Sequence, residues 1–158
     1  LFHLFDQNST WQQEHGQPLI SDMHFMLQKE VIDRICAEPF SKAYGRLSVM
    51  AQYYCAVESL FEVPPEAFSP APKVTSAVLR MTPHAEKTIV ARSEATLHKV
   101  VQQAFSQRRK TLRNTLAPLM DEATLKALAI DPSARAETLS TAQFVDIANA
   151  VASKDSEH

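Results

Sequence analysis

Two prolines at alternate positions, in Phe68-Ser69-Pro70-Ala71-Pro72-Lys73-Val74-Thr75-Ser76, constrain this chain more than any other stretch of it. Each proline fixes its φ at about −65° and removes a backbone donor. Each also pushes the residue before it toward extended or polyproline II geometry. The stretch is therefore a stiff, extended loop with no internal ladder. It holds Phe68 at its mouth and Lys73 just beyond, and a strand-like run, Val74 to Met81, follows. An aromatic next to a lysine suits a nucleobase, since the ring stacks on the base and the ammonium meets a phosphate. The alternative is a Phe68 buried in the core, with the prolines only linking two strands. On composition alone burial is the commoner fate of phenylalanine.

Before this loop, strand-like and helix-like runs alternate. Met23 to Gln28 is a short apolar run that fits a buried strand of an α/β sheet. Lys29 to Ala37 reads as a helix with Val31, Ile32, Ile35 and Cys36 on one face, and Pro39 ends it. Leu47 to Cys55 returns to helix, Ala56 to Val63 is strand-like, and Pro64-Pro65 stops that strand. The first connection allows a parallel crossover, and the second is short enough for the last two strands to pair antiparallel. Residues 6–21, with Asp6, Asn8, Ser9, Gly16 and Pro18, read as a polar surface loop that Trp11 could pin down. Leu1 to Phe5 has no initiator Met and no N-cap, and reads as the last turns of a helix that begins upstream.

After the loop everything reads as helix. Ser93 can cap a helix with Leu97, Val100, Val101, Ala104 and Phe105 on one stripe. Thr111–Leu119 and Ala123–Ile130 are shorter helices, with Asp121 as a cap for the second, and Asp131-Pro132 reads as a further cap with proline at the first helical position. Ser140-Thr141-Ala142-Gln143 is a capping box stapled by Leu139 and Phe144. Phe144, Ile147, Ala148 and Val151 form the buried face of the last helix, and residues 153–158 should fray. The fold class is α/β followed by all-α: residues 1–83 are a mixed sheet with helices, 84–92 a linker, and 93–158 a small helical domain.

At 158 residues and 45% hydrophobic, the chain can bury a real core. Its net charge of −2 excludes nothing, but the distribution is uneven. From Leu1 to Pro72 there are nine acids and four bases; from Lys73 to Arg113 there are nine bases and two acids. A basic middle section of this kind is a candidate polyanion footprint, or else a solvated charged face. Its densest part is Arg108-Arg109-Lys110, with Arg113 one turn on, at the junction of two helices. Free N–H groups at the start of the second helix and the arginine forks both suit phosphate oxygens. Distant acids could equally pair these side chains. Arg135 can bind phosphate or pair with Glu137 or another acid.

The two cysteines, Cys36 and Cys55, form no metal or disulfide pattern and read as buried thiols of a cytoplasmic protein. The six histidines show no zinc-type spacing, and His24 reads as a core histidine in a strand. No metal is expected. No apolar run approaches the roughly 20 residues of a membrane helix, and nothing reads as a signal peptide. There is no Walker loop, and two glycines, Gly16 and Gly45, make no glycine-rich cofactor loop.

Four stretches together resemble the bacterial ribosomal RNA adenine dimethyltransferases. They are Asp22-Met23-His24-Phe25-Met26-Leu27-Gln28-Lys29-Glu30-Val31, Lys42-Ala43-Tyr44-Gly45-Arg46-Leu47-Ser48-Val49, the Phe68–Ser76 loop, and Gln107-Arg108-Arg109-Lys110-Thr111-Leu112-Arg113-Asn114. The likeness runs from Leu1 to about Ala152. It is greater to the small-subunit enzymes than to the macrolide-resistance methyltransferases, which share the Phe-x-Pro-x-Pro loop. It implies the C-terminal portion of a two-part enzyme: the end of a Rossmann-like class I methyltransferase sheet, then a small helical rRNA-binding domain. The implied cofactor is S-adenosylmethionine. The family's glycine-rich cofactor motif and its Asn-Leu-Pro-Tyr catalytic motif belong upstream of Leu1, and the 6–21 stretch is longer than in close relatives.

The implied reaction is dimethylation of the N6 amino groups of two adjacent adenines in small-subunit rRNA, late in subunit assembly. Carried over by position, Phe68 lies against the target adenine, and Arg108, Arg109, Lys110 and Arg135 contact rRNA. Arg113 and Lys73 join them from the charge reading above. Tyr44 and Arg46 match a family segment to which no role is assigned. The implied partners are small-subunit rRNA and the small-subunit particle, with no membrane and a monomeric protein. The alternative is a non-catalytic rRNA-binding fragment that docks on the small subunit.

Overall fold

The computed structural model describes residues 2–86 and 88–155. Contacts gather the chain into two compact units, one of Leu1–Cys36 with Ala51–Lys87 and one of Ala37–Met50 with Thr88–His158. This division differs from one made at the 84–92 linker in a single segment, 37–50, which groups with the helices that follow it by some forty residues.

The first unit is built on three strands, β1 (Met23–Gln28), β2 (Cys55–Val63) and β3 (Ser76–Pro83), in the order β1-β3-β2. β3 runs antiparallel to both neighbours. β1 and β2 are therefore parallel but not adjacent, as expected of a crossover followed by a reversed strand. Side chains alternate across the pleat. Ala77, Leu79 and Met81 are buried on one face of β3, and α2 (Lys29–Ile35) packs on the sheet with Ile32 and Ile35 also buried. β1 is half-buried in alternation rather than fully buried, because only β3 pairs with it. His24 points to the exposed side, so it is not a core histidine. Of the two thiols, Cys55 is buried and Cys36 only half-buried.

Residues 6–15 are not a loop. α1 runs over Phe2–His15, so the short helix expected at the start of the chain continues through most of the polar stretch; the part of that expectation on Leu1 lies outside the described residues. Polar composition hid two anchors made at a distance and one local helix cap. Phe5 is buried and stacks on Tyr54 with ring centroids 5.0 Å apart. The buried Asn8 side chain accepts the Ile20 N–H at 2.8 Å. Gly16, at φ +74°, closes the helix in the left-handed conformation, and its N–H donates to the Gln12 carbonyl. Trp11 stacks on His15 and stays 41% exposed.

In the second unit α4 (Glu94–Ala104) packs on α7 (Thr141–Asp155). Leu97, Val100, Val101 and Ala104 are buried on one helix, and Phe144, Ile147, Ala148 and Val151 on the other. Complete burial of a Val, Leu, Ile or Phe side chain contributes about 1.5–3 kcal/mol, so these stripes dominate the unit's stability. The caps hold as expected. Ser93 Oγ accepts the Thr96 N–H, and Asp121 Oδ1 accepts the Thr124 N–H at the start of α6 (Glu122–Ala127). Ser140 and Gln143 bond reciprocally, Ser140 N–H to Gln143 Oε1 at 2.9 Å and Gln143 N–H to Ser140 Oγ at 3.2 Å. Removing the serine oxygen alone, with Ser140→Ala, is expected to cost about 0.5–2 kcal/mol, read as a shift in the urea midpoint at constant slope.

Two helices are shorter or absent. α5 covers only Leu112–Thr115, with turns beyond it, and no helix starts at Asp131-Pro132. Asp131 Oδ1 instead accepts the Ser133 N–H and hydroxyl, closing an Asx turn. α7 reaches Asp155, and residues 156–158 of the stretch expected to fray lie outside the described residues.

Candidate nucleic-acid interface

The helix α2 stops before Pro39, and the chain then makes a tight excursion to α3 (Arg46–Tyr54). Tyr44 fixes that excursion within the second unit. Its ring is buried and meets Phe105 edge-on at 6.2 Å, and its hydroxyl donates to the Leu139 carbonyl at 2.7 Å. Burial pushes the Tyr44 phenol up to about 12; the Glu38 carboxylate adds to the effect and a hydrogen bond with Thr141 opposes it. Four residues earlier, the Phe40 N–H donates to the Glu137 carbonyl at 2.8 Å.

Arg108 lies in the turn between α4 and α5. Its guanidinium donates through Nη2 to the Lys42 carbonyl, and its Nε stands 3.6 Å from the Glu137 carboxylate. Two main-chain bonds complete the junction, from Leu112 N–H to the Ala134 carbonyl at 2.8 Å and from Arg113 N–H to the Pro132 carbonyl at 2.9 Å. Three segments distant in sequence, 40–46, 107–113 and 132–138, thus meet in one corner of the second unit. Lys42, Arg46, Arg108, Arg109, Lys110, Arg113 and Arg135 are all exposed there.

This geometry sorts residues that the sequence could only group. The free N–H groups expected at the start of the second helix are taken: those of Leu112 and Arg113 serve the 132–134 turn, and that of Lys110 donates to the Gln107 carbonyl. α5 therefore offers side chains, not its helix end, to an anion. Arg108 is paired with Glu137, and Arg113 with Glu122 at 3.6 Å, so distant acids do reach two of the arginines. Glu137 turns to Arg108 rather than to Arg135. Among the described residues, Arg109, Lys110 and Arg135 have no acidic partner. Exposed ion pairs contribute only about 0–1 kcal/mol, so a phosphate can displace either carboxylate at little cost. Arg108 differs from the rest, because both sides of its fork already hold the corner together.

Phe68 and Lys73 belong to the first unit. A 3-10 turn, Pro65–Ala67, delivers Phe68, whose N–H donates to the Pro65 carbonyl at 3.1 Å. The side chain is half-buried and does not belong to the core. The Ser69–Pro70 bond is cis. Lys73 is exposed, and β3 begins only at Ser76, two residues later than the sequence run suggests.

A Cβ added at Gly16 or Gly45 would meet no other protein atom within 4 Å. Among the described residues there is no group of His, Cys, Asp or Glu suited to a metal ion, and no helix long and apolar enough to cross a membrane.

Comparison with known proteins agrees with this architecture. The family model described as ribosomal RNA adenine dimethylase matches residues 1–153. A ribosomal RNA small subunit methyltransferase A from Histophilus somni is 53% identical over 152 residues, which are 96% of this chain and 51% of that protein. Its counterpart from Hahella chejuensis is 58% identical over 133 residues, 84% of this chain and 49% of the relative. The chain spans about half the length of the curated relatives it matches. Among solved structures, a dimethyladenosine transferase from Plasmodium falciparum superposes with a TM-score of 0.72 at 20% identity, over 90% of this chain and 60% of that one. The 23S rRNA methyltransferase ErmE gives 0.59 at 21%, over 85% of this chain and 56% of its own. The three-stranded sheet with its reversed strand is the end of that class I methyltransferase fold.

Proposed function

The chain belongs to the ribosomal RNA adenine dimethylase family, and from that premise we propose that it is the rRNA-docking portion, with one wall of the target-base site, of an enzyme that dimethylates N6 of two adjacent adenines in small-subunit rRNA. The enzyme works on small-subunit particles late in their assembly, as a cytoplasmic monomer, with S-adenosylmethionine supplying the methyl groups. The observation that carries the docking role is the basic corner, where Arg109, Lys110 and Arg135 have no acidic partner among the described residues.

The work of this chain's own residues is binding and orientation. The amino nitrogen of adenine is a poor nucleophile because its lone pair is delocalised into the ring, so positioning matters more than proton removal. Extruding the base from a stack costs a few kcal/mol and calls for an aromatic replacement. The half-exposed Phe68 ring, held by its 3-10 turn and the stiff loop after it, is suited to that, with Lys73 available to a neighbouring phosphate. In an enzyme completed with an N-terminal half from a relative, Phe68→Ala should lose roughly 1–3 kcal/mol of base stacking. Competition binding with adenine-containing RNA and single-turnover methylation read this loss; unchanged values in both would return Phe68 to a packing role.

A second reading, a binding-only fragment, is motivated by the sequence, whose two glycines are too few for a glycine-rich cofactor loop. Titration calorimetry separates the two. The 158-residue chain should bind small-subunit particles yet give no saturable heat with S-adenosylmethionine, and the completed enzyme should give both. If the chain shows no affinity for the particles, the docking role is wrong.

A further inference from the structure

Phe40 is the most exposed large hydrophobic side chain among the described residues, at 79%. It also occupies the left-handed region, at φ +71°, where a residue with a Cβ is disfavoured and glycine or asparagine is at ease. The position thus carries two local penalties, a strained backbone and an aromatic ring in water. Something holds it there: Pro39 precedes it, and its N–H is fixed to the Glu137 carbonyl at 2.8 Å. Its neighbours are the basic corner. Lys42, two residues on, offers its carbonyl to Arg108, and Arg108 and Glu137 are paired, with Arg135 two residues before Glu137.

We propose that Phe40 is a stacking platform for an unpaired nucleobase of an RNA strand whose phosphates lie on Lys42, Arg109, Lys110 and Arg135. This inference rests on the rRNA-docking reading above and adds a second base-contacting aromatic, separate from Phe68 and in the other unit. The charge around the ring favours a polyanion over an apolar protein surface. An exposed ring matches a splayed base, whose face is open, and not a duplex, whose base faces are covered. An outlier of backbone conformation held in place by its surroundings is a recognised mark of a functional position.

The test uses the 158-residue chain, a short oligoadenylate and an RNA duplex of equal length, read by fluorescence anisotropy. Phe40→Asn should bind oligoadenylate about 5- to 150-fold less tightly, the range set by loss of one base stack, with duplex affinity unchanged. The same variant should unfold at a higher urea concentration than the parent, because asparagine tolerates the left-handed backbone. Phe40→Trp should keep the affinity, and its indole emission should be quenched as oligoadenylate saturates. Equal weakening for both RNAs, or none for either, overturns the proposal. If Arg109→Ala/Lys110→Ala weakens both RNAs while Phe40→Asn weakens neither, the docking reading stands and the stacking role alone falls. If the parent chain binds neither RNA, both fall.

Discussion

Tyr44→Ala is expected to destabilise the helical unit by about 3–5 kcal/mol, the usual cost of deleting a buried aromatic. The ring is buried against Phe105, and its hydroxyl satisfies the Leu139 carbonyl. Loss of the side chain should release the 37–46 excursion and with it the contacts that Lys42 and Glu137 make to Arg108. Urea unfolding monitored by circular dichroism measures the first effect, and weaker RNA binding by the still-folded fraction measures the second. Tyr44→Phe keeps the ring and should cost only about 1–3 kcal/mol, the penalty for leaving a buried carbonyl unpaired. The parent chain and Tyr44→Phe also separate by pH. The phenol ionises at about 12 in the folded chain but at about 10 when unfolded. The unfolded state thus gives up its proton first, and the stability linked to the neutral phenol is complete below pH 10 and lost as pH rises toward 12. Tyr44→Phe should lack that loss. Parallel alkaline decay of both proteins would contradict the burial of this hydroxyl.

Arg109→Ala/Lys110→Ala is expected to weaken binding to small-subunit rRNA strongly and to flatten its salt dependence by about one to two units of log–log slope. These two exposed side chains have no acidic partner among the described residues, so their removal should leave the fold intact. Arg108→Ala should behave differently. Its guanidinium bonds the Lys42 carbonyl and faces Glu137, so the variant should lose stability as well as affinity. Identical melting behaviour for the double variant and Arg108→Ala would remove the distinction.

Much of the sheet was legible, because β1, α2, α3, β2 and β3 show either compact apolar runs or helical spacing bounded by prolines. So were α4 and α7, whose stripes and serine caps are local signals. α1 was hidden because its anchors, Phe5 on Tyr54 and Asn8 on Ile20, are contacts made at a distance, while its own composition mimics a loop. The basic corner was visible as a charge cluster. Its internal division was not, since Glu137 and Lys42 reach Arg108 across 29 and 66 positions. Tyr44 carried a motif without a mechanism until its hydroxyl met Leu139. Phe40 gave no sequence signal at all, for nothing in Pro39-Phe40-Ser41 announces a left-handed backbone.

The 37–50 segment changes what counts as a transferable piece of this protein. A chimera joined at the 84–92 linker would seem to exchange a complete tail between relatives. It would in fact carry a helical core without its own Tyr44, and Phe105 and the Leu139 carbonyl would have to accept whatever tyrosine loop the recipient happened to own. The unit of inheritance is discontinuous: a short internal stretch and the distant C-terminal helices must vary together. Recombination at the linker should therefore succeed only between relatives whose two pieces already match.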